Sequence, residues 1–362
     1  MSLAVLAFFV LGLVFLVGGA ELLVRGASRL AATLGVSPLI IGLTVVAYGT
    51  SAPEMAVSLT SGFDIGSSIS IGNVVGSNIC NVLLVLGVSA TIAPLAVSQR
   101  LVKLEVPLML GLSVLLFCLA RDGSIGFRDG LLLSTGGVVY TGYLIWEGTR
   151  KTDVQAEFAE EIDIPEDNSP VQRAIDGLCI AIGAILLTKG SDWLVSSASS
   201  VARAWGVSDL VVGLTVVAFG TSLPEGATSV IASLRGERDL AVGNVVGSNI
   251  FNILAVLGLA GAVAPAGIMV TEAAVNFDIP VMIAVALACL PIFFTGSAIA
   301  RWEGILFSGY YIAYVAYLIL RSTEHESLPI FSGVLLWFAL PLTAVTLVVV
   351  ALRERKRRPQ KP

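Results

Sequence analysis

One stretch of this chain occurs twice, and this repeat limits the possible folds more than any other feature. The first copy runs from Gly42 to Gly87 and the second from Gly213 to Gly258. At a shift of 171 residues, without a gap, 26 of the 46 positions are identical. Both copies contain GTSxPE and GNVVGSN, so a carboxylate, hydroxyls, carboxamides and a proline stand within otherwise apolar segments. Such polar groups are costly inside a membrane, which indicates a functional role for both copies.

The composition places these segments in a membrane. Of the 362 residues, 56% are hydrophobic and 13% are charged, and the mean hydropathy is +0.91. Soluble domains carry roughly 25% charged residues. The apolar runs are long enough for membrane helices, and they lack the alternating segments of about ten residues that build outer-membrane barrels. We therefore predict an all-α integral membrane protein whose surroundings are a lipid bilayer, with no nucleic-acid partner and no obligate protein partner.

The hydropathy pattern predicts eleven membrane spans. They lie near residues 3–24, 38–62, 69–93, 101–120, 126–147, 172–200, 209–233, 240–264, 272–295, 301–320 and 328–352. The first span has no basic segment before it, and its end, VGGAELLVRGASRLAATLGVS, resembles TKGSDWLVSSASSVARAWGVS at the same shift. We therefore expect the first span to belong to the fold and not to be a signal peptide.

The repeated unit comprises five spans. We expect residues 1–148 to form the first repeat, 149–171 an acidic cytoplasmic linker, 172–321 the second repeat, and 322–362 an extra span with a basic cytoplasmic tail. An odd number of spans turns the second unit upside down relative to the first. Such an inverted repeat is typical of secondary transporters. The linker lacks the D-x-D-x-D-G pattern of a calcium-binding loop, which favours a solvated connector.

The distribution of basic residues predicts the orientation. With the N-terminus outside, sixteen lysines and arginines fall on the cytoplasmic side and four on the outer side. This asymmetry obeys the positive-inside rule and predicts an inner, or plasma, membrane protein with a cytoplasmic C-terminus. The four outer residues are Arg121, Arg128, Arg203 and Arg321.

The first motif copy predicts a break in its helix. Thr50, Ser51 and Glu54 are three or four residues apart and share one helical face. Pro53 lacks an N–H group and crowds the carbonyl of Gly49, which favours a kinked or unwound turn near the middle of the membrane. Carbonyls released there need partners from the protein or a bound cation. The second copy repeats the pattern with Thr221, Ser222, Pro224 and Glu225.

The candidate ligands in both copies are all oxygen donors. In the spans that follow, Ser77 and Asn81 are four residues apart, as are Ser248 and Asn252. The four cysteines form no C-x-x-C pair and His325 is the single histidine, so neither a disulfide nor a soft-metal site is predicted. Carboxylate, hydroxyl, amide and carbonyl oxygens suit hard cations such as Na⁺ and Ca²⁺. No cofactor is expected, because the cations themselves would be the substrates.

GTSAPE at 49–54, GTSLPE at 220–225 and the two GNVVGSN segments resemble the two α-repeats of the sodium/calcium exchanger family, within the cation/Ca²⁺ exchanger superfamily. The resemblance covers nearly the whole chain. It implies that Glu54 and Glu225 are the central carboxylates shared by Ca²⁺ and Na⁺. It also implies oxygen ligands from Thr50, Thr221, Ser51, Ser222, Ser77, Ser248, Asn81 and Asn252, and from the carbonyls of Ala47 and Ala218.

The resemblance implies a secondary Na⁺/Ca²⁺ antiporter that works by alternating access, in which the first span of each half slides against the site. Potassium-dependent members carry an aspartate at the position of Asn252, so asparagine there argues against K⁺ co-transport. A Ca²⁺/H⁺ antiporter, or one for another divalent cation, is the alternative on the same fold. Proton-coupled relatives typically place an acid in the second motif, and GNVVGSN has none.

Two functions of a different class are a cation channel and an intramembrane enzyme. Channel filters are more often built from rings of repeated subunits, whereas a two-fold inverted repeat suits alternating access. The sequence shows neither H-E-x-x-H nor another intramembrane protease motif, so no enzymatic activity is expected.

Overall fold

A computed structural model describes residues 3–63, 68–148, 169–206, 212, 216, 218–294, 298–343 and 345–346. Almost all of the predicted acidic linker and the whole basic tail lie outside these ranges. So does most of the segment that opens the second motif copy, between residues 207 and 217.

The described residues are almost entirely helical. The helices are α1 (Leu3–Leu34), α2 (Pro38–Thr50), α3 (Ala52–Gly62), α4 (Ile69–Ile92), α5 (Leu101–Asp122), α6 (Phe127–Gly148), α7 (Pro170–Ala204), α8 (Ala218–Gly220), α9 (Leu223–Leu234), α10 (Arg238–Val263), α11 (Ala274–Phe293), α12 (Arg301–Ser322) and α13 (Leu328–Thr343). In the part of the chain that is described, seven are long and apolar enough to cross a membrane, or eight if α2 and α3 form one bent span. Helices α6, α9 and α13 occupy remaining predicted spans. The predicted helical membrane fold is confirmed.

Helices α4 and α10, which carry the GNVVGSN motifs, form the centre of the bundle. Most residues in the apolar part of each of these helices are buried, whereas only about a fifth are buried in α1, α7 and α12. The exposed apolar side chains of these outer helices suit contact with the hydrocarbon of a bilayer, which offers no hydrogen-bond partners to polar groups. The motif helices therefore meet in the interior, where α4 of one repeat packs near α10 of the other.

The two longest helices, α1 and α7, pack closely because glycines face each other. A Cβ atom added at Gly19 would lie 2.8 Å from the carbonyl oxygen of Gly183, and one at Gly12 would lie 2.9 Å from that of Gly190. Small residues let membrane helices approach until their backbones touch. Gly183 and Gly190 are the equivalents of Gly12 and Gly19 at the shift of 171 residues, so the two contacts are reciprocal.

Two short antiparallel strand pairs also join the repeats. Strand β1 (Leu95–Ala96) pairs with β4 (Ala298–Ile299), and β2 (Ser124–Ile125) pairs with β3 (Ile268–Met269). Helix α5 separates the two pairs by about 33 Å, at 1.5 Å per helical residue. β1 and β3 occupy equivalent places in the two repeats but lie in different pairs. This arrangement is consistent with the predicted inverted repeat.

Candidate cation site

The site is built around two interrupted helices. Helix α2 ends at Thr50 and α3 begins at Ala52, and their axes differ by 48°. Ser51 between them has φ −81° and ψ 9°, and Ser222 in the second repeat has φ −86° and ψ 3°. Pro53 and Pro224 lie in the first turns of α3 and α9, where a missing N–H group costs no helical hydrogen bond. The predicted break is therefore present in both repeats.

The break in the second repeat releases a carbonyl that another helix satisfies. Pro224 cannot donate to the carbonyl of Gly220, four residues earlier in the chain. The hydroxyl of Ser191 on α7 donates to that oxygen instead. A buried carbonyl without a donor costs about 1–3 kcal/mol, so this contact stabilises the interrupted geometry.

Both glutamates are fully buried, and each has one anchored oxygen. The hydroxyl of Ser77 donates to Oε1 of Glu54 at 3.2 Å, and the hydroxyl of Ser51 donates to Oε1 of Glu225 at 3.0 Å. Within the described ranges the Oε2 atom of each glutamate has no hydrogen-bond partner. The two carboxylates interact electrostatically with each other. Two buried carboxylates of this kind need compensation of their charge, which a bound cation or a proton can supply.

The threonines of the broken turns bind across the repeats. The Thr50 hydroxyl donates to Oδ1 of Asn244 at 3.1 Å and lies 3.5 Å from the hydroxyl oxygen of Ser248. The Thr221 hydroxyl likewise donates to Oδ1 of Asn73 at 3.3 Å and lies 3.3 Å from that of Ser77. The two sets of contacts are equivalent, because each residue in one set corresponds to a residue in the other at the repeat shift of 171 positions. The site thus lies between the repeats, and neither repeat supplies it alone.

Asn73 and Asn244 contact residues of the candidate site, and the sequence interpretation did not include them. The side-chain amide of Asn73 donates to the backbone carbonyl of Glu54 at 3.2 Å and to the hydroxyl of Ser58 at 3.0 Å. Asn244 makes the equivalent bonds to the carbonyl of Glu225 at 3.4 Å and to Ser229 at 3.0 Å. The available signal was the first asparagine of GNVVGSN, present in both copies.

Asn81 and Asn252 are fully buried at equivalent bends. Each begins a wider π-helical turn, Asn81–Leu86 in α4 and Asn252–Leu257 in α10. Their NH₂ groups donate to Asn249 and Asn78, at 3.1 Å and 3.0 Å respectively. Their Oδ1 atoms have no hydrogen-bond partner in the described structure. Both amide oxygens are therefore available to a ligand.

The remaining predicted residues differ in their surroundings. The Ala47 carbonyl accepts from the Ser51 amide at 3.0 Å, and its oxygen lies 3.4 Å from the hydroxyl oxygen of Thr50. Ser222 is fully buried, and its hydroxyl has no partner among the residues described. Ala218 begins the short helix α8, just before Thr221.

Five buried oxygens at these positions therefore lack a hydrogen-bond partner from the described residues. They are Glu54 Oε2, Glu225 Oε2, Asn81 Oδ1, Asn252 Oδ1 and Ser222 Oγ. Buried acceptors normally have donors, because an unsatisfied one is costly. The two amide oxygens can only accept, and the two carboxylate oxygens only accept when the glutamates are ionised. The chemistry of this set fits a hard cation, which needs oxygen ligands and brings positive charge.

Comparisons with known proteins point to one family. A family model described as "Sodium/calcium exchanger protein" matches residues 4–146 and 176–320. The chain is 41% identical over 286 residues to the "Putative antiporter CaxA" of Alkalimonas amylolytica, covering 78% of this chain and 88% of the relative. It is 33% identical over 315 residues to the "Inner membrane protein YrbG" of Escherichia coli, covering 86% of this chain and 96% of the relative.

A solved structure gives the same result for the fold. The structure of the sodium/calcium exchanger from Methanococcus jannaschii aligns with a TM-score of 0.74 and 33% sequence identity. The alignment covers 87% of this chain and 99% of that protein.

Proposed function

The chain belongs to the sodium/calcium exchanger family, and on this premise we propose that it exchanges Na⁺ for Ca²⁺ across a membrane by alternating access. It is a multi-pass membrane transporter and not an enzyme. Its ions are substrates, and members of the family need no cofactor. The specific coupling to Na⁺ and the ligand set are the parts that we propose.

The observation that carries the proposal is the pair of fully buried glutamates from opposite repeats. Glu54 and Glu225 each keep one carboxylate oxygen without a hydrogen-bond partner from the described residues, and the buried amide oxygens of Asn81 and Asn252 also lack one. One Ca²⁺ would neutralise both carboxylates, and several Na⁺ would compete for the same oxygens. Ca²⁺ takes six to eight oxygen ligands in flexible geometry, which a mixed set of this kind can supply.

The need for charge compensation supplies the coupling. A pair of uncompensated carboxylates is expensive to expose to a membrane interior, so we propose that the protein changes its open side only with Ca²⁺ or Na⁺ bound. The family resemblance further implies that α1 and α7 slide as the moving element. Their reciprocal glycine contacts support movement as one unit.

Two features favour Na⁺ over H⁺ as the coupling ion. The hydroxyls of Thr50, Ser51, Ser77 and Thr221 all converge on the glutamate region, where they would be surplus to a proton site. The amides of Asn81 and Asn252 cannot titrate, so the second motif helices offer no acid at these positions. A Ca²⁺/H⁺ antiporter remains the competing function on the same fold.

We further propose an inner, or plasma, membrane location with the N-terminus outside and the C-terminus in the cytoplasm. The unequal distribution of basic residues supports this orientation. The name of the Escherichia coli relative supports the membrane type.

Replacing either central glutamate tests the site. In vesicles loaded with Na⁺, we expect Glu54→Gln and Glu225→Gln to abolish the uptake of radiolabelled Ca²⁺, because the remaining single charge no longer balances a divalent cation. Asp192→Asn, at an exposed carboxylate of α7, is the control and should retain wild-type uptake. Uptake near the wild-type rate in either glutamine variant would contradict the site assignment.

A further inference from the structure

We propose that Asn78 and Asn249 are positioning residues that turn the amides of Asn81 and Asn252 so that oxygen, and not nitrogen, faces the cation. Asn78 and Asn249 are not among the predicted ligands. The inference rests on the proposed function for the identity of Asn81 and Asn252 as ligands. Its basis is a chain of hydrogen bonds whose direction is fixed at one end.

The first chain begins at two groups that can only accept. The NH₂ group of Asn249 lies 3.3 Å from the backbone carbonyl oxygen of Asn78 and 3.5 Å from the sulfur of Met109. A carbonyl oxygen and a thioether sulfur have no proton to donate. Asn249 must therefore direct its NH₂ group towards them, which turns its Oδ1 atom the other way, towards Asn81.

The orientation then passes to the site. The Oδ1 atom of Asn249 accepts from the NH₂ group of Asn81 at 3.1 Å. An amide that donates through nitrogen on one side presents oxygen on the other. The Oδ1 atom of Asn81 is buried and has no partner in the described part of the chain. Asn81 is thus held as an acceptor.

An equivalent chain, in which the two repeats exchange roles, orients Asn252. The NH₂ group of Asn78 lies 3.2 Å from the backbone carbonyl oxygen of Asn249 and 3.6 Å from the sulfur of Met282. The Oδ1 atom of Asn78 accepts from the NH₂ group of Asn252 at 3.0 Å. The Oδ1 atom of Asn252 is again without a partner among the described residues. Two independent copies of one arrangement argue against chance.

Both methionines stand on anchored helices. Four residues before Met109 on α5, the buried carboxylate of Glu105 accepts from the hydroxyl of Tyr140 and from Arg100 at 3.0 Å. Four residues before Met282 on α11, Asp278 accepts from the hydroxyl of Tyr314 at 3.1 Å. These bonds tie α5 to α6 and α11 to α12. Each methionine therefore stands on a helix that is bonded to its neighbouring helix.

The physical consequence is a restriction on amide rotation. A rotated Asn81 would point its NH₂ group at the cation and its oxygen at the oxygen of Asn249, so two favourable contacts would become repulsive. Loss of the restriction should weaken cation binding by about tenfold, the equivalent of one hydrogen bond. Asn78 and Asn249 act through the ligands and do not touch the cation.

A double-mutant cycle on purified protein tests the inference through the dissociation constant for radiolabelled Ca²⁺. Asn249→Leu should weaken binding about tenfold in the wild-type background and change it little in the Asn81→Leu background. The cross pair, Asn249→Leu with Asn252→Leu, should give nearly additive losses. A purely structural role would weaken binding equally in both backgrounds, and this outcome would overturn the inference.

Met109→Leu provides a second test that keeps the apolar volume. It removes the acceptor sulfur without opening a cavity, and swaps of similar volume are well tolerated. We expect weaker Ca²⁺ binding, by about two- to threefold because a thioether is a weak acceptor, at an unchanged melting temperature. Unchanged binding in both Met109→Leu and Met282→Leu would contradict the proposed origin of the orientation.

The outcomes separate this inference from the proposed function. Coupling in the cycle together with an absence of Na⁺-driven flux would refute Na⁺ exchange and keep the positioning role. Ca²⁺ binding without coupling would refute the positioning role alone. A wild-type protein that does not bind Ca²⁺ would refute both.

Discussion

Glu54 and Glu225 define the chemistry at the scale of single residues. Each carboxylate accepts a hydrogen bond from a serine through one oxygen. Ser77 of the same repeat donates to Glu54, and Ser51 of the opposite repeat donates to Glu225. The second oxygen of each has no hydrogen-bond partner from the described residues. A serine bond on one oxygen limits rotation of the carboxylate while the other oxygen stays available. Binding of a cation then needs little rearrangement of the side chains.

The two serines of the broken turns should differ in their contribution to stability. Ser51 donates to the buried Glu225, whereas the hydroxyl of Ser222 has no partner among the described residues. In a cation-free buffer with chelator we expect Ser51→Ala to lower the free energy of unfolding by about 1–3 kcal/mol, more than Ser222→Ala does. Saturating Ca²⁺ should narrow the gap, because the cation then stabilises the carboxylate. Thermal unfolding in detergent measures both, and equal melting temperatures without Ca²⁺ would contradict the assignment.

The sequence predicted the broken turns better than the contacts made across them. The duplicated Glu and Pro, with hydroxyls on one helical face, identified the broken turns and their facing carboxylates. Asn73, Asn78, Asn244 and Asn249 were not singled out, because helical spacing within one segment does not show which helix of the other repeat lies opposite. Their roles depend on contacts between residues about 140–200 positions apart, such as that of Asn249 with Met109. Only the packed structure brings these together.

The paired helices α1 and α7 determine much of the packing at the scale of elements. Their glycines are seven residues apart on each helix, Gly12 and Gly19 on one and Gly183 and Gly190 on the other. Each pair brings backbone against backbone, and no side chain fits between them. The predicted spans included both helices, but the hydropathy pattern alone did not show that they contact each other.

A neighbouring pair of glycines gives a matched test of this interface. A Cβ atom at Gly19 would lie 2.8 Å from backbone atoms of α7, whereas one at Gly18 would meet no atom of the described structure within 4 Å. We expect Gly19→Ala to destabilise the protein by about 1–3 kcal/mol through overpacking and to slow transport. Gly18→Ala should do neither. Melting temperature and initial rate of Ca²⁺ uptake are the measurements, and equal effects of the two variants would refute the close contact.

The whole molecule is organised by an approximate two-fold relation between its halves. Reciprocal contacts connect Thr50 with Asn244 and Thr221 with Asn73, and reciprocal strand pairs connect the ends of the bundle. This relation is consistent with an inverted repeat. Such a repeat exchanges the inner and outer faces, so the same sequence pattern would supply an equivalent pathway on each side of the site. This symmetry is the architectural reason for expecting alternating access.

Labelling of equivalent strands tests the inversion. Ala96 in β1 and Met269 in β3 occupy corresponding positions, and both are exposed. In a variant with Cys118 and Cys179 replaced by alanine, we expect a membrane-impermeant maleimide to label Met269→Cys in intact cells. Ala96→Cys should react only after the cells are opened. Labelling of both cysteines from the same side would contradict an inverted repeat.

Coupling of Ca²⁺ transport to Na⁺ is tested most directly by one flux measurement. The purified protein is reconstituted in liposomes, and uptake of radiolabelled Ca²⁺ is followed while gradients of Na⁺, H⁺ and K⁺ are imposed separately. We predict rapid uptake with Na⁺ inside and none outside, no uptake driven by a pH gradient in Na⁺-free medium, and no dependence on K⁺. Uptake driven by the pH gradient without Na⁺ would contradict Na⁺/Ca²⁺ exchange and favour the proton-coupled alternative.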